Sequence, residues 1–296
     1  MNSAIKNVPV SSRLTGVDKR TNISQRELIK EYVEPGLPVV LIDAARAWPA
    51  MGKITPAYLK AHYGHLTRAI KGTTYTLAEY VDLMLASTPA HPAPYPFNLD
   101  MQRVLPELLR DLQPDIVYAK SDRVKHPLLP KMLLLNTTPF ELFLGGNGAA
   151  FPYLHIDALF LHTQITQLYG AKEFFLYSPD QSPYMYPRAD NAKTSQIEAF
   201  HPDYDKFPLF RHAKPIVFTL EEGETLLFPT GWWHTTKIHE PSISFGRSQL
   251  NAGNWDDFAQ DHFALRKGKH PMFAAAALLY SKALGKVLDW QEQSKG

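Results

Sequence analysis

Between residues 133 and 246 the chain is a succession of short β-type runs, and no other feature limits its fold as strongly. The runs are LLLN (133–136), ELFLG (141–145), YLHIDA (153–158), FLHTQITQLYG (160–170), KEFFLYSP (172–179), PIVFTL (215–220), TLLFPTG (225–231) and SISFG (242–246). Gly, Pro and Asp clusters separate them at intervals typical of an all-β barrel or sandwich. No long helical pattern interrupts them, so the chain reads as mainly β with helices at its two ends.

Those ends carry local helix signals. Ser24 and Glu27 form a capping-box pattern ahead of Leu28, Ile29, Tyr32 and Val33, and Pro35-Gly36 stops that helix. The apolar run 39–42 reads as a strand. Thr55 with Pro56 starts a second helix that Gly64 ends, and Thr76 with Glu79 starts a third. The proline-rich stretch 87–98 reads as a surface connection, followed by a short helix over 104–112. At the other end, 271–291 reads as a helix whose apolar coverage is too wide for an isolated surface element, so it needs the barrel or a second copy of the chain as partner. The expected organisation is 1–115 as a helical decoration with one strand, 116–258 as the β core, and 259–296 as a C-terminal helix able to form a homodimer.

Composition narrows the chemistry. The 31 basic and 29 acidic residues leave a formal charge of +2, which gives no ground for a nucleic-acid or anionic membrane partner. There is no cysteine, so disulfides and thiolate metal sites are excluded and any metal must take nitrogen and oxygen ligands. The N-terminal stretch lacks the apolar core of a signal peptide and no run has the length of a membrane span, which makes the cytoplasm the expected location.

His155 and Asp157, two apart in a segment that reads as strand, send their side chains to one face. A lone His-x-Asp is weak, because polar residues often alternate on a half-exposed strand. A second histidine strengthens it: His234 ends the segment 223–234, an acidic Gly turn, an apolar strand and a Pro-x-Gly corner flanked by tryptophans. Two histidines and one carboxylate on one side of a metal leave three adjacent positions open, as non-haem Fe(II) oxygenases require.

With these residues the sequence resembles the JmjC or cupin-like Fe(II)- and 2-oxoglutarate-dependent oxygenases, most closely the branch with the asparaginyl hydroxylase called factor inhibiting HIF. The resemblance runs through 37–44 with Trp48-Pro49, 144–180, 204–208 and 242–245. It implies a double-stranded β-helix (cupin or jelly-roll) core with N-terminal helices and a C-terminal helix. It also implies Fe(II) on His155, Asp157 and His234, with 2-oxoglutarate and O2 as co-substrates and Lys172 as the cation for the far carboxylate. Thr163, Arg247, Ser248 and Asn251 are further candidates for co-substrate contact. Asp157 fills the position that related halogenases leave open for chloride, which favours hydroxylation.

The sequence departs from the family in two places. Phe151-Pro152-Tyr153-Leu154 lacks the hydroxyl the family commonly has just before the first histidine, and two extra residues separate Asp157 from the Gly170 turn. Trp232 or Trp233, or both, read as plain core, and His201, His212 and His239 as surface residues, while His162 stands between core and pocket lining. The expected substrate is a protein, peptide or small molecule, with 87–98 and 181–208 as candidate rim loops. Two alternatives use the same ligands: a zinc hydrolase with Glu173 or Glu224 as base, and a non-catalytic ligand-binding cupin.

Overall fold

A computed structural model describes residues 14–116, 122–134 and 137–293. In chain order its elements are strand β1 (Asp18–Arg20), helix α1 (Gln25–Leu28, continued as a π-turn over Ile29–Val33), β2 (Val39–Leu41), α2 (Pro56–Tyr63), β3 (Thr67–Ile70), β4 (Thr73–Thr76), α3 (Leu77–Leu85), β5 (Phe97–Asp100) and α4 (Met101–Val104). Then come β6 (Phe140–Gly145), β7 (His162–Tyr169), β8 (Lys172–Tyr177), β9 (Ile216–Leu220), β10 (Thr225–Phe228), β11 (Trp233–Lys237), β12 (Ser242–Gln249), α5 (Trp255–Arg266) and α6 (Pro271–Gln293).

The β-type runs fold into two facing sheets. The larger has the order β1-β2-β10-β7-β12-β6-β5 and the smaller β11-β8-β9. The segment before β7 widens the smaller sheet, because Ala150 bridges Lys237 and His155 bridges His234 alongside β11. The central pairs join strands distant in sequence, β12 with β6 and β7, β10 with β7 and β11 with β8, which is the double-stranded β-helix layout of a cupin core.

The helix starts follow their sequence signals. Both capping boxes form, with Glu27 and Glu79 accepting the backbone N–H of Ser24 and Thr76. Thr55 caps α2 over Pro56, and Gly64 ends it. Four readings change. The helix expected over 104–112 is instead α4 followed by a 3-10 turn, Pro106–Asp111, since Pro106 has no N–H to continue an α-ladder. The run 133–136 is not a strand where it is described: Lys131–Leu134 is a 3-10 turn, and 135–136 lie outside the described residues. The run 153–158 is extended but meets its neighbours only in single bridges. The N-terminal third also holds more than one strand, including the β3–β4 hairpin, whose Lys71-Gly72 corner takes positive φ at both residues.

The decoration does not stand apart from the core. Strands β1, β2 and β5 belong to the larger sheet, and Leu59, Leu77, Tyr80 and Met84 of α2 and α3 share one buried cluster with Leu142, Leu144, Ile243 and Phe245 of β6 and β12. At the far end, α5 precedes the expected C-terminal helix and pairs with it: Gly285 lies so close to Trp255 that a Cβ would meet its Nε1 at 2.5 Å, and that N–H donates to Ser281 O at 2.8 Å. No helix of the described residues is long and apolar enough to cross a membrane.

Candidate metal centre

The space between the two sheets is a cavity of about 360 Å³, within the range of small-molecule sites. His155, Asp157, His234, Lys172, Thr163, Arg247 and Ser248 line it, so most of the expected site residues meet in one place.

The fold brings the two histidines together through their backbones. His155 N–H donates to His234 O at 3.1 Å and His234 N–H to His155 O at 2.8 Å, a reciprocal β-bridge that sets their side chains side by side. Asp157 follows two residues on, just before a 3-10 turn. Its Oδ1 lies 3.6 Å from His155 Nε2 and 3.8 Å from His234 Nε2. One ligand atom of each of the three lies within 4.8 Å of the others. Metal bonds of about 2.1 Å put neighbouring donors about 3 Å apart, so small side-chain rotations complete the set around an ion.

The electrostatics agree with a metal site. Burial, with the His155 imidazole beside it, pushes His234 down to about 4, so the ring is neutral at physiological pH. Its Nδ1–H donates to Trp232 O at 3.2 Å, which leaves the Nε2 lone pair facing Asp157. Burial alone would raise the Asp157 carboxyl, but the imidazoles of His234 and His155 and the donated hydroxyl of Thr163 hold it well below the usual carboxylate range. His155 Nδ1 is buried without a hydrogen-bond partner, and its ring stacks on Phe151 with centroids 4.8 Å apart. Nitrogen and oxygen donors, one ionised carboxylate and open space beside them fit Fe(II).

Lys172 opens β8 and is 4% exposed. Its ammonium donates to Ser244 Oγ and, at 3.3 Å, to Tyr95 Oη, and no carboxylate pairs with it among the described residues. Burial pushes it down to about 7. A buried cation with only neutral partners at one end of the cavity and a metal cage at the other is the donor set that a small dicarboxylate fits.

Other candidates fall elsewhere. The Arg247 guanidinium turns to the opposite side of the sheet, where Asp115 and Asp122 accept from it at 3.2 and 3.1 Å. Asn251 bonds His162, whose Nδ1 also accepts from Thr230 N–H at 3.1 Å, and neither side chain lines the cavity. Trp232 and Trp233 are core, donating to Gly36 O and Ser182 Oγ. Sequence reasoning missed Tyr95, Ser244 and Glu141. Tyr95 lies in the stretch read as a surface connection and candidate rim without any residue singled out, and Ser244 and Glu141 alternate along strands whose inward face was unassigned. Pro96 and Asn98 also line the cavity, whereas Arg188 lines a separate surface groove with Pro152 and Tyr153.

Comparison with known proteins extends this. Residues 24–247 match the family described as Cupin-like domain. The Arabidopsis thaliana lysine-specific demethylase JMJ21 is 26% identical over 255 residues, 81% of this chain and 26% of that protein. The arginine-specific demethylase JMJ22 of the same plant is 27% identical over 252 residues, 82% of this chain and 47% of that protein. The human HSPB1-associated protein 1 is 29% identical over 127 residues, 42% of this chain and 24% of that protein. The chain thus spans between about a quarter and about a half of the length of these relatives. With a family match over most of its length and a His-Asp-His cage between its sheets, the chain belongs to the cupin-like family of JmjC Fe(II)- and 2-oxoglutarate-dependent oxygenases.

Proposed function

We propose that this protein hydroxylates an unactivated C–H bond in an amino-acid side chain of a protein or peptide, or in a small metabolite, with His155, Asp157 and His234 holding the iron. The observation that carries the reading is the pairing of that cage with Lys172 in one cavity. In the overall reaction one oxygen atom of O2 enters the substrate C–H bond and the other enters succinate as 2-oxoglutarate loses carbon dioxide. The iron, when bound, supplies oxygen activation coupled to that decarboxylation.

The remaining work falls to the chain. His155, Asp157 and His234 would hold the metal from one side, Thr163 fixes the Asp157 carboxylate, and Trp232 O fixes the His234 tautomer. Lys172, held by Ser244 and Tyr95, would take the distal carboxylate of the co-substrate. Phe143, Phe151, Phe174 and Phe228 wall the cavity and keep water from it. Hydroxylation at a carbon attached to nitrogen releases that carbon, so a demethylase outcome, as in the names of JMJ21 and JMJ22, uses the same chemistry. The exposed apolar face of α6 supports homodimerisation.

The hydrolase alternative loses its expected bases: Glu173 pairs with the exposed His239 and Glu224 with Lys19, both outside the cavity. The test is succinate formation from 2-oxoglutarate with Fe(II) and ascorbate. Asp157→Ala and His234→Ala are each expected to lower it by about a hundredfold or more, with loss of bound metal. Unchanged turnover in both would sink the assignment.

A further inference from the structure

Sheet pairing fixes the two histidine ligands, and Asp157 lies beyond its reach. His155 bridges His234 on one side and Thr194 on the other, and the last backbone bond of that pairing runs from Ile156 N–H to Lys193 O at 2.8 Å. Asp157 then opens a turn in which Leu159 and Phe160 both take positive φ, 58° and 50°. Side chains larger than glycine's keep that conformation only where packing and hydrogen bonds hold them in it. Two such residues in a row, directly behind a metal ligand, require a support outside the turn itself.

Helix α5 supplies that support through two arms. Asn254 stands where an asparagine ordinarily caps its own helix, yet its side chain makes no cap bond. Its Nδ2 donates instead to Phe160 O at 2.9 Å and to Gln249 O at 3.1 Å, and its Oδ1 accepts from Asn251 N–H at 2.8 Å, all at a fully buried position. Further along α5, Asp261 accepts from the Lys193 ammonium, which also lies 4.2 Å over the Phe160 ring. Lys193 is the residue whose carbonyl holds Ile156, so this ion pair ties α5 to the chain between His155 and Asp157. Its side chains are 17% and 12% exposed, and solvent screens it little. Between the arms, the buried Leu159 shares a cluster with Trp255 and Phe258 of the same helix.

We propose that Asn254 and Asp261 are positioning residues for the metal centre: from α5 they grip the chain on both sides of Asp157 and so set its carboxylate against His155 and His234. Neither side chain lines the cavity, and each acts through the backbone that carries Asp157, Asn254 by way of Phe160 O and Asp261 by way of Lys193. Thr163 orients the carboxylate locally, whereas α5 decides where the turn that bears it stands. A turn released from α5 relaxes out of positive φ and carries the carboxylate away, while the histidines stay on their own bridge. The inference rests on the reading of His155, Asp157 and His234 as a metal cage, and not on which reaction the metal performs.

The experiment follows Co(II) binding to the full chain by calorimetry and visible absorption, without 2-oxoglutarate, and hydrogen exchange of the Ala158–Leu161 amides in the metal-free protein. Asn254→Ala and Asp261→Asn are each expected to weaken Co(II) binding by about tenfold to a hundredfold, the usual effect of losing a group that orients a ligand. Each should also alter the Co(II) absorption and speed exchange at Ala158–Leu161. Leu288→Ala is the control, because it takes apolar packing from the same helical pair and leaves both arms in place. It should lower the urea midpoint and leave Co(II) affinity and absorption as in the wild type. Lys193→Met separates position from charge: it cuts the Asp261 arm and removes a cation, so weaker Co(II) binding supports the proposal and tighter binding overturns that arm. Unchanged Co(II) affinity in both Asn254→Ala and Asp261→Asn overturns the whole, as does an equal loss in Leu288→Ala. Asp261→Asn alone decides if Asn254→Ala, at its buried site, fails to fold. A wild type that binds no Co(II) would overturn the metal-cage reading and this inference with it, whereas one that binds Co(II) but forms no succinate with Fe(II) overturns the oxygenase reading alone.

Discussion

Lys172 is the buried cation of the cavity, and its titration gives the proposed co-substrate role a direct test. Burial holds the ammonium near 7 in the ligand-free protein, far below an ordinary lysine, so above neutral pH the folded state has lost a proton that the unfolded chain keeps. The sign follows: between about 7 and about 10 this residue makes the ligand-free protein more stable as pH rises, because the unfolded state binds more protons there. A dicarboxylate restores the charge, so calorimetry at pH 8 in buffers of different ionisation enthalpy should show uptake of close to one proton per 2-oxoglutarate bound. Lys172→Met should abolish that uptake and weaken binding by about tenfold to a hundredfold, the value of one charge-assisted contact. Equal proton uptake in the variant would assign the effect to another group. Lys172 and the three metal ligands were legible because motif and spacing pointed to them. Tyr95 and Ser244 were not, since a tyrosine in a proline-rich stretch and a serine among alternating strand residues carry no local sign that they meet Lys172. Arg247 was misleading for a related reason: in a strand, a shift of one residue sends the side chain to the other face, and its neighbours Gly246 and Ser248 are the ones that look inward.

Among the elements, α6 is held by its C-terminal turns as much as by its apolar face. Arg123 is 2% exposed, stacks over Trp255, and donates to Asp289 at 2.6 Å and to Glu292 at 2.7 and 2.8 Å. Its carboxylate partners are half exposed, so solvent screens part of their attraction and the cost of losing it is moderate. Arg123→Met should destabilise by about 1–3 kcal/mol in urea unfolding and admit protease near the C-terminal end of α6 before the barrel is cut. Simultaneous cleavage in both regions would show that the helix and barrel unfold as one. None of this was visible beforehand, because the partners are 166 and 169 residues apart. The caps of α1, α2 and α3 were, because each is settled within four residues of chain. The 3-10 turn at 106–111 lies between these cases: its proline was in plain view, and only the competing apolar pattern hid what it does.

For the molecule as a whole, β-type texture was enough to foresee the sandwich, yet not that the first hundred residues lend strands to its larger sheet or that α5 precedes α6. One face of α6 is spent on Trp255, Phe258, Leu129 and Leu133, where Ala277, Leu284 and Leu288 are buried. The other leaves Met272, Leu279 and Trp290 at 87%, 70% and 69% exposed. Patches of this kind mark association surfaces, so sedimentation should show a dimer that Leu279→Glu with Trp290→Glu converts to monomer; a wild-type monomer at tens of micromolar would exclude this role for the face. The reciprocal backbone pairing of His155 with His234 has a broader consequence. Sheet hydrogen bonds set the two histidine ligands side by side, so the cage is built into the barrel's backbone. Such a frame has little means of preferring iron over the later first-row ions, which bind nitrogen and oxygen donors more tightly. On the proposed function, activity should therefore track the ion supplied: reconstitution with Zn(II) in place of Fe(II) is expected to fill the site and stop succinate formation.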